Sequence, residues 1–250
     1  MGAITANIEY GPYHHFEIRA AKNFSEGLYR IQEIQLEKYD VEKLSLFPKE
    51  TGAPRENVSV TQTDPSGILD VAVLYTPEAL AASNGEALAV ESQILLAVEM
   101  ANIAFGNSDI NMRAKVVHIS PLLDTSYIEG SYSTMLNSLT SEEGDDSFSD
   151  DLAIAEAAGA DFVALFVNND EKCGQSWFQF EFPYITRYSV AVINIACPQS
   201  FVQELGHNMG ATVEEDNSLL TCDDCTNYGY CWDIGPSSCK RSIEATAGKE

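Results

Sequence analysis

The chain has 250 residues, 45% hydrophobic and 21% charged, enough for one large domain with a buried core. Lys and Arg number 14 against 38 Asp and Glu, for a formal charge of −24. That balance repels a phosphate backbone and excludes nucleic acid as an expected partner. No apolar run approaches the roughly 18–20 residues of a membrane helix, so no membrane span is expected.

In chain order, residues 1–50 alternate apolar and polar residues in "HHFEIRA" and "GLYRIQEIQLEKYD", the pattern of half-buried strands. Their start, "MGAITANIEYGPYHH", lacks a basic segment followed by an apolar one, so no signal peptide is visible. Residues 51–67 carry Pro, Gly, Thr and Ser with almost no large apolar side chains, and read as an exposed linker. From residue 68 the pattern changes. "ILDVAVLYT" (68–76), "MRAKVVHIS" (112–120), "DFVALFVN" (161–168) and "YSVAVINIA" (188–196) read as strands. Between them, "GEALAVESQILLAVEMANIAFGNS" (85–108) has helical spacing, with Leu88, Ile94, Leu95, Val98, Ala101 and Phe105 expected on one face. "SYSTMLNSLT" and "SDDLAIAEAAGA" predict two further helices, the second beginning with an acidic cap after Ser149. Strands alternating with helices predict an α/β fold with a largely parallel sheet.

The acidic excess fits a solvated shell. A calcium site in "SEEGDDSFSDD" (141–151) is the sharper alternative, although its spacing is not that of an EF-hand. Six cysteines (Cys173, Cys197, Cys222, Cys225, Cys231 and Cys239) all fall in the last third. An even number in loop-like sequence predicts disulfides and export, hence a secreted or periplasmic protein. A four-cysteine zinc site is the alternative, but the second pair is spaced too widely for it. His14, His15 and His118 lie in strand-like segments, where a lone histidine is more often structural than a ligand. No glycine-rich phosphate loop or Gly-x-Ser-x-Gly elbow is present.

The chemistry concentrates in "PQSFVQELGHNMG". Ser200 is placed to cap a helix on which Gln203 and His207 stand at i and i+4, on one face, with Glu204 beside them. Zinc peptidases use that spacing: two histidines hold the ion and the adjacent glutamate is the general base. "QELGHNMGATVEED" resembles the metzincin motif His-Glu-x-x-His-x-x-Gly-x-x-His, and within it the reprolysin-like (adamalysin-type) bacterial group. The order of "ILDVAVLYTPEA", the long helix, "GADFVALFVNNDEKCGQSW" and "NYGYCW" agrees, so the resemblance covers most of residues 66–246.

The resemblance implies a metzincin-like zincin fold: a mostly parallel twisted sheet with an antiparallel edge strand near "CGQSWFQFEF", long helices, an active-site helix and a small disulfide-rich C-terminal part. It implies a propeptide-like segment at 1–50 and a peptidase domain at 68–250. Glu204 matches the general base, His207 the second zinc ligand and Gly210 the glycine that ends the helix. The first ligand position is Gln203 instead of His, the third is Val213, and the Met-turn position aligns with Glu244. An amide oxygen is a poor zinc ligand and valine offers no lone pair. A set of Gln203, His207 and Glu214 could hold a harder ion. No cysteine precedes residue 173, so a cysteine switch within the N-terminal segment is excluded. The expected function is therefore a metal-impaired pseudopeptidase that binds peptide or protein. The alternatives are an active but atypical zinc endopeptidase and a non-catalytic structural or adhesion module. An aromatic strand at "FQFEF" fits either a peptide-binding edge or simple core packing.

Overall fold

The computed structural model describes residues 67–108, 110–140, 148–178 and 190–211, and the backbone of five further strands. Three of these strands, β1 (Ala6–Tyr10), β2 (His14–Ala20) and β3 (Tyr29–Ile34), form an antiparallel sheet in the order β1-β2-β3. The two strand-like segments expected in this region are β2 and β3.

The main sheet has five strands. β4 (Ile68–Tyr75) is followed by helices α1 (Pro77–Ala82) and α2 (Ala87–Asn107) and by strand β5 (Arg113–Pro121). Helices α3 (Tyr132–Thr140) and α4 (Ser149–Ala157) lead to β6 (Phe162–Val167), β7 (Gly174–Ser176) and β8 (Val190–Asn194). Helix α5 (Ser200–Asn208) comes next, and β9 (Cys231–Gly235) pairs with β10 (Ser238–Arg241) in a separate ribbon. The sheet order is β5-β4-β6-β8-β7, with β7 antiparallel to β8 and the other pairs parallel. This is the mixed α/β sheet with one antiparallel edge strand that a metzincin-like fold requires.

The near-continuous apolar runs of β4, β6 and β8 follow from burial on both faces. Val71, Val73 and Tyr75 of β4 pack with Val90, Ile94, Ala97 and Ala101 of α2 and with Phe201 and Leu205 of α5. Leu74, Leu165 and Val192 point the other way, against Tyr132, Met135, Leu136 and Leu139 of α3. Those four α3 residues recur at i, i+3, i+4 and i+7, the helical core stripe. Thr76 ends β4 and caps α1 by accepting from the Ala79 N–H at 3.0 Å, with Pro77 in the first turn.

Three expectations are corrected. Ile94, Val98, Ala101 and Phe105 do share the buried face of α2, but Leu88 and Leu95 are 55% and 53% exposed. At about 100° per residue they sit roughly a quarter-turn away from that face. The acids expected to cap α4 after Ser149 lie inside its first turn: the helix begins at Ser149, and the cap is Phe148, which contributes no side-chain bond. Asp150 and Asp151 favour the N-terminus through the helix dipole instead. Likewise Ser200 begins α5 and Gln199 stands at the cap position.

Helix α2 is long and apolar enough, by length and composition only, to cross a membrane. Eight of its residues are nonetheless buried in the fold, which makes it the sheet's core helix. In the acidic stretch 141–151, residues 141–147 lie outside the described residues. Asp151 turns inward and accepts from the Leu123 N–H at 3.2 Å. His118 meets the Ser120 hydroxyl at 2.9 Å within its own strand.

Candidate metal-peptidase site

Helix α5 packs against α2, β7 and β8, and none of its residues is exposed. Phe201, Val202, Glu204, Leu205, His207 and Asn208 are buried, and Gln203 is half-buried beside them. Phe201 stacks with Phe166 and meets Phe162 edge-on, which anchors the first turn in the core. The helix ends in a Schellman motif. The Gly210 N–H donates to His207 O at 3.1 Å and the Ala211 N–H to Gly206 O at 2.9 Å. Gly210 takes φ +88°, a conformation open to glycine and strained for other residues, as the motif requires.

That turn also orients His207. Ala211 O, brought back under the helix, lies 2.8 Å from His207 Nδ1. A carbonyl can only accept, so Nδ1 carries a proton, which in the neutral ring leaves the lone pair on Nε2. This is the tautomer a metal-binding imidazole needs, with its second nitrogen held by a backbone carbonyl.

Glu204 is fully buried where α5 meets the edge strand. Gly174 opens that strand, and a Cβ there would come within 2.8 Å of Glu204 Cγ and 2.9 Å of Cδ, and closer still to Oε1. The absent side chain of Gly174 is therefore the space the carboxylate occupies. Further ties fix the helix to the strand. The Ser176 hydroxyl donates to Glu204 O at 3.0 Å, and Asn208 Nδ2 to Trp177 O at 2.7 Å. The Asn194 N–H donates to Cys173 O at 2.8 Å, and Cys173 is disulfide-bonded to Cys197. The bridge joins the start of β7 to the turn that launches α5. It bears out a disulfide among the C-terminal cysteines; the side chains of the other four lie outside the described residues.

Sequence reasoning placed Gln203, Glu204, His207 and Gly210 correctly on one helix and its terminating turn. Glu214, Val213 and Glu244 lie outside the described residues. Gly174 and the Ser176 and Asn208 ties were missed. A glycine inside a strand pattern signals close approach of another group, and "CGQS" carried that signal.

The donor set can be tested against zinc. A structural or catalytic zinc takes three or four first-rate N, S or O ligands. Among the described residues no group of three His, Cys, Asp or Glu is placed to hold an ion. His207 is the one imidazole on α5, and its neighbour one turn back is the neutral amide of Gln203. The described residues do not fit a complete zinc site.

A five-stranded sheet with an antiparallel edge, backed by a helix carrying a buried Glu and a His and closed by a left-handed glycine, defines a zincin-type peptidase scaffold. The sequence profile of metallo-peptidase family M12, in its reprolysin branch, matches residues 67–244. The chain belongs to that family, whose members generally use zinc and act on peptides or proteins. Among solved structures, a chaperone–substrate complex contains a chain 16% identical to this one, with a TM-score of 0.51. The match covers 72% of this chain and 28% of that longer one. Metalloproteinase-II from Bacteroides fragilis is 12% identical over 85% of this chain and 67% of its own, with a TM-score of 0.45. The first likeness concerns the fold alone and the second is too remote to carry an argument, so membership rests on the profile. No curated protein matches the chain.

Proposed function

We propose that this member of the M12 family is a metal-impaired pseudopeptidase that holds extended peptide or protein segments in its former substrate groove, outside the cytosol. The observation that supports it is the donor set on α5. The scaffold is kept: Glu204 packs into the space of Gly174, His207 is held in the ligand tautomer and Gly210 ends the helix. The grip is not: Gln203 stands where the family resemblance requires an imidazole, and one imidazole does not hold zinc against water. Binding needs none of this. β7 pairs only with β8 among the described strands, and an extended peptide adds to such an edge through backbone groups. The Cys173–Cys197 bridge supports an oxidising compartment, secreted or periplasmic.

The His207 tautomer also favours a second reading, an atypical enzyme with a Gln203, His207 and Glu214 metal site. Casein hydrolysis by the parent, by Glu204→Gln and by the Gln203→His, Val213→His double variant separates the two. The pseudopeptidase reading expects parent and Glu204→Gln to be equally inert and the double variant to gain chelator-sensitive hydrolysis. Hydrolysis by the parent that is lost both with chelator and in Glu204→Gln would establish the atypical enzyme instead.

A further inference from the structure

Helix α2 is apolar around its whole circumference: of its 21 residues only Glu91 and Glu99 are charged. A helix of that kind is ordinarily covered on every side. The main sheet and α5 cover one side, where Val90, Ile94, Ala97 and Ala101 are buried. On the other side Leu88, Leu95 and Ile103 are 55%, 53% and 55% exposed. At about 100° per residue these three fall on one stripe, about 22 Å long. Leu96 and Met100 are half-buried along its flank. Past the helix end Ile110 is exposed as well, and so is Ile68, where the chain enters β4. The two lie at the same end of the fold, because the Arg113 N–H donates to Gly67 O at 2.8 Å.

The N-terminal sheet has the complementary need. Directly paired residues of antiparallel strands stand on the same face, and successive residues on opposite faces. The pairings Ala6–Ile18, Ile8–Phe16, Ile18–Ile31 and Ala20–Tyr29 gather Ile8, Phe16, Ile18, Tyr29 and Ile31 on one face, with His14 and Glu33 at its ends. Asn7, Glu9, Glu17, Arg19, Arg30 and Gln32 share the other. A single layer of three strands has no core of its own and needs another element over its apolar face. Strand β2 has 7 residues, about 23 Å of strand, and three strands are about 10 Å across. That is the footprint of one helix face of the length of the α2 stripe.

We propose that the apolar face of the β1–β3 sheet docks on the outer stripe of α2 within the same chain. Residues 35–66 join β3 to Gly67, and at about 3.3 Å per residue they reach any point along α2. A second copy of this chain is a poorer occupant, since two chains of net charge −24 repel each other. Residues 1–50 hold 6 Lys or Arg against 8 Asp or Glu, so this segment is nearly neutral and approaches the acidic body at little electrostatic cost. Helix α2 packs on β4 and β5, the end of the sheet order away from β7. The docked segment therefore leaves the β7 edge open while still attached. The docking does not depend on whether the α5 site holds a metal.

Hydrogen exchange on the full chain is the test. The β2 amides are protected in the parent, and Leu88→Glu with Leu95→Glu and Ile103→Glu speeds their exchange at least about tenfold. The β4 and β6 amides keep the parent's protection, because all three positions face away from the core. A second measurement holds even if that triple variant fails to fold. The thiol introduced by Leu95→Cys reacts slowly with a maleimide, and Phe16→Glu with Ile18→Glu speeds the labelling at least about tenfold. Unprotected β2 amides in the parent overturn the proposal. So does parent-like β2 exchange in the folded triple variant, or labelling that Phe16→Glu with Ile18→Glu leaves unchanged. A dimer in sedimentation that dissociates in the triple variant overturns it as well, since a second copy would then cover the stripe.

Discussion

Gly174 and Glu204 share a space that admits one side chain. Gly174→Ala drives a methyl group into a buried carboxylate and is expected to destabilise the fold by about 1–3 kcal/mol in urea unfolding. In a Glu204→Ala background the same change should cost much less. Equal costs in the two backgrounds would show that the contact does not matter. Gly210→Ala at φ +88° is expected to cost about 1–2 kcal/mol by the same measurement, because the Schellman turn needs a left-handed residue. The two glycines differ in legibility. Gly210 follows a helical motif within a few residues, so local spacing revealed it. Gly174 is defined by a side chain thirty positions later, and only the packing of α5 on β7 brings the two together.

At the scale of elements, two ties hold the site's strands in place. The Cys173–Cys197 bridge closes a loop at a sequence separation of 24. Its removal by Cys173→Ser with Cys197→Ser should cost about 3–4 kcal/mol of unfolding free energy. A loss below about 1 kcal/mol would mean that the helix–strand hydrogen bonds suffice alone. Glu129 makes the other tie, joining the ends of β4 and β6 by accepting from the Thr76 hydroxyl at 2.5 Å and the Asn168 N–H at 2.8 Å. Burial holds its carboxyl above the usual carboxylate range, against the pull of those two donors, and Glu78 adds to the rise. A raised carboxyl favours folding below its unfolded pKa, and the contribution is lost as pH climbs through the folded value. Glu129→Gln keeps an accepting oxygen without the charge, so its stability relative to the parent should increase from acid to neutral pH. A ratio that falls over that range in paired melting curves would contradict the sign. Glu129→Ala leaves the buried Thr76 hydroxyl without its acceptor and should cost about 1–3 kcal/mol. Helix and strand identities were legible here because periodicity is local. The exposure of Leu88 and Leu95 was not, because hydrophobicity marks a helix more reliably than it marks the face the sheet will cover.

Over the whole molecule, the alternation of strands and helices made the α/β class legible, and the motif made the family legible. The strand order β5-β4-β6-β8-β7 was not, since it depends on crossovers that local sequence does not record. The acidic excess bears on stability as well as on partners. With a net charge of −24 the folded chain repels itself, and its melting temperature should rise as sodium chloride is added up to about 1 M. For the α5 site the most direct measurement is zinc per chain after dialysis of zinc-loaded protein into metal-free buffer, taken beside the Gln203→His, Val213→His variant. The donor set on α5 predicts far less than one zinc per parent chain and close to one in the variant. One zinc retained per parent chain, and lost in His207→Ala, would contradict it.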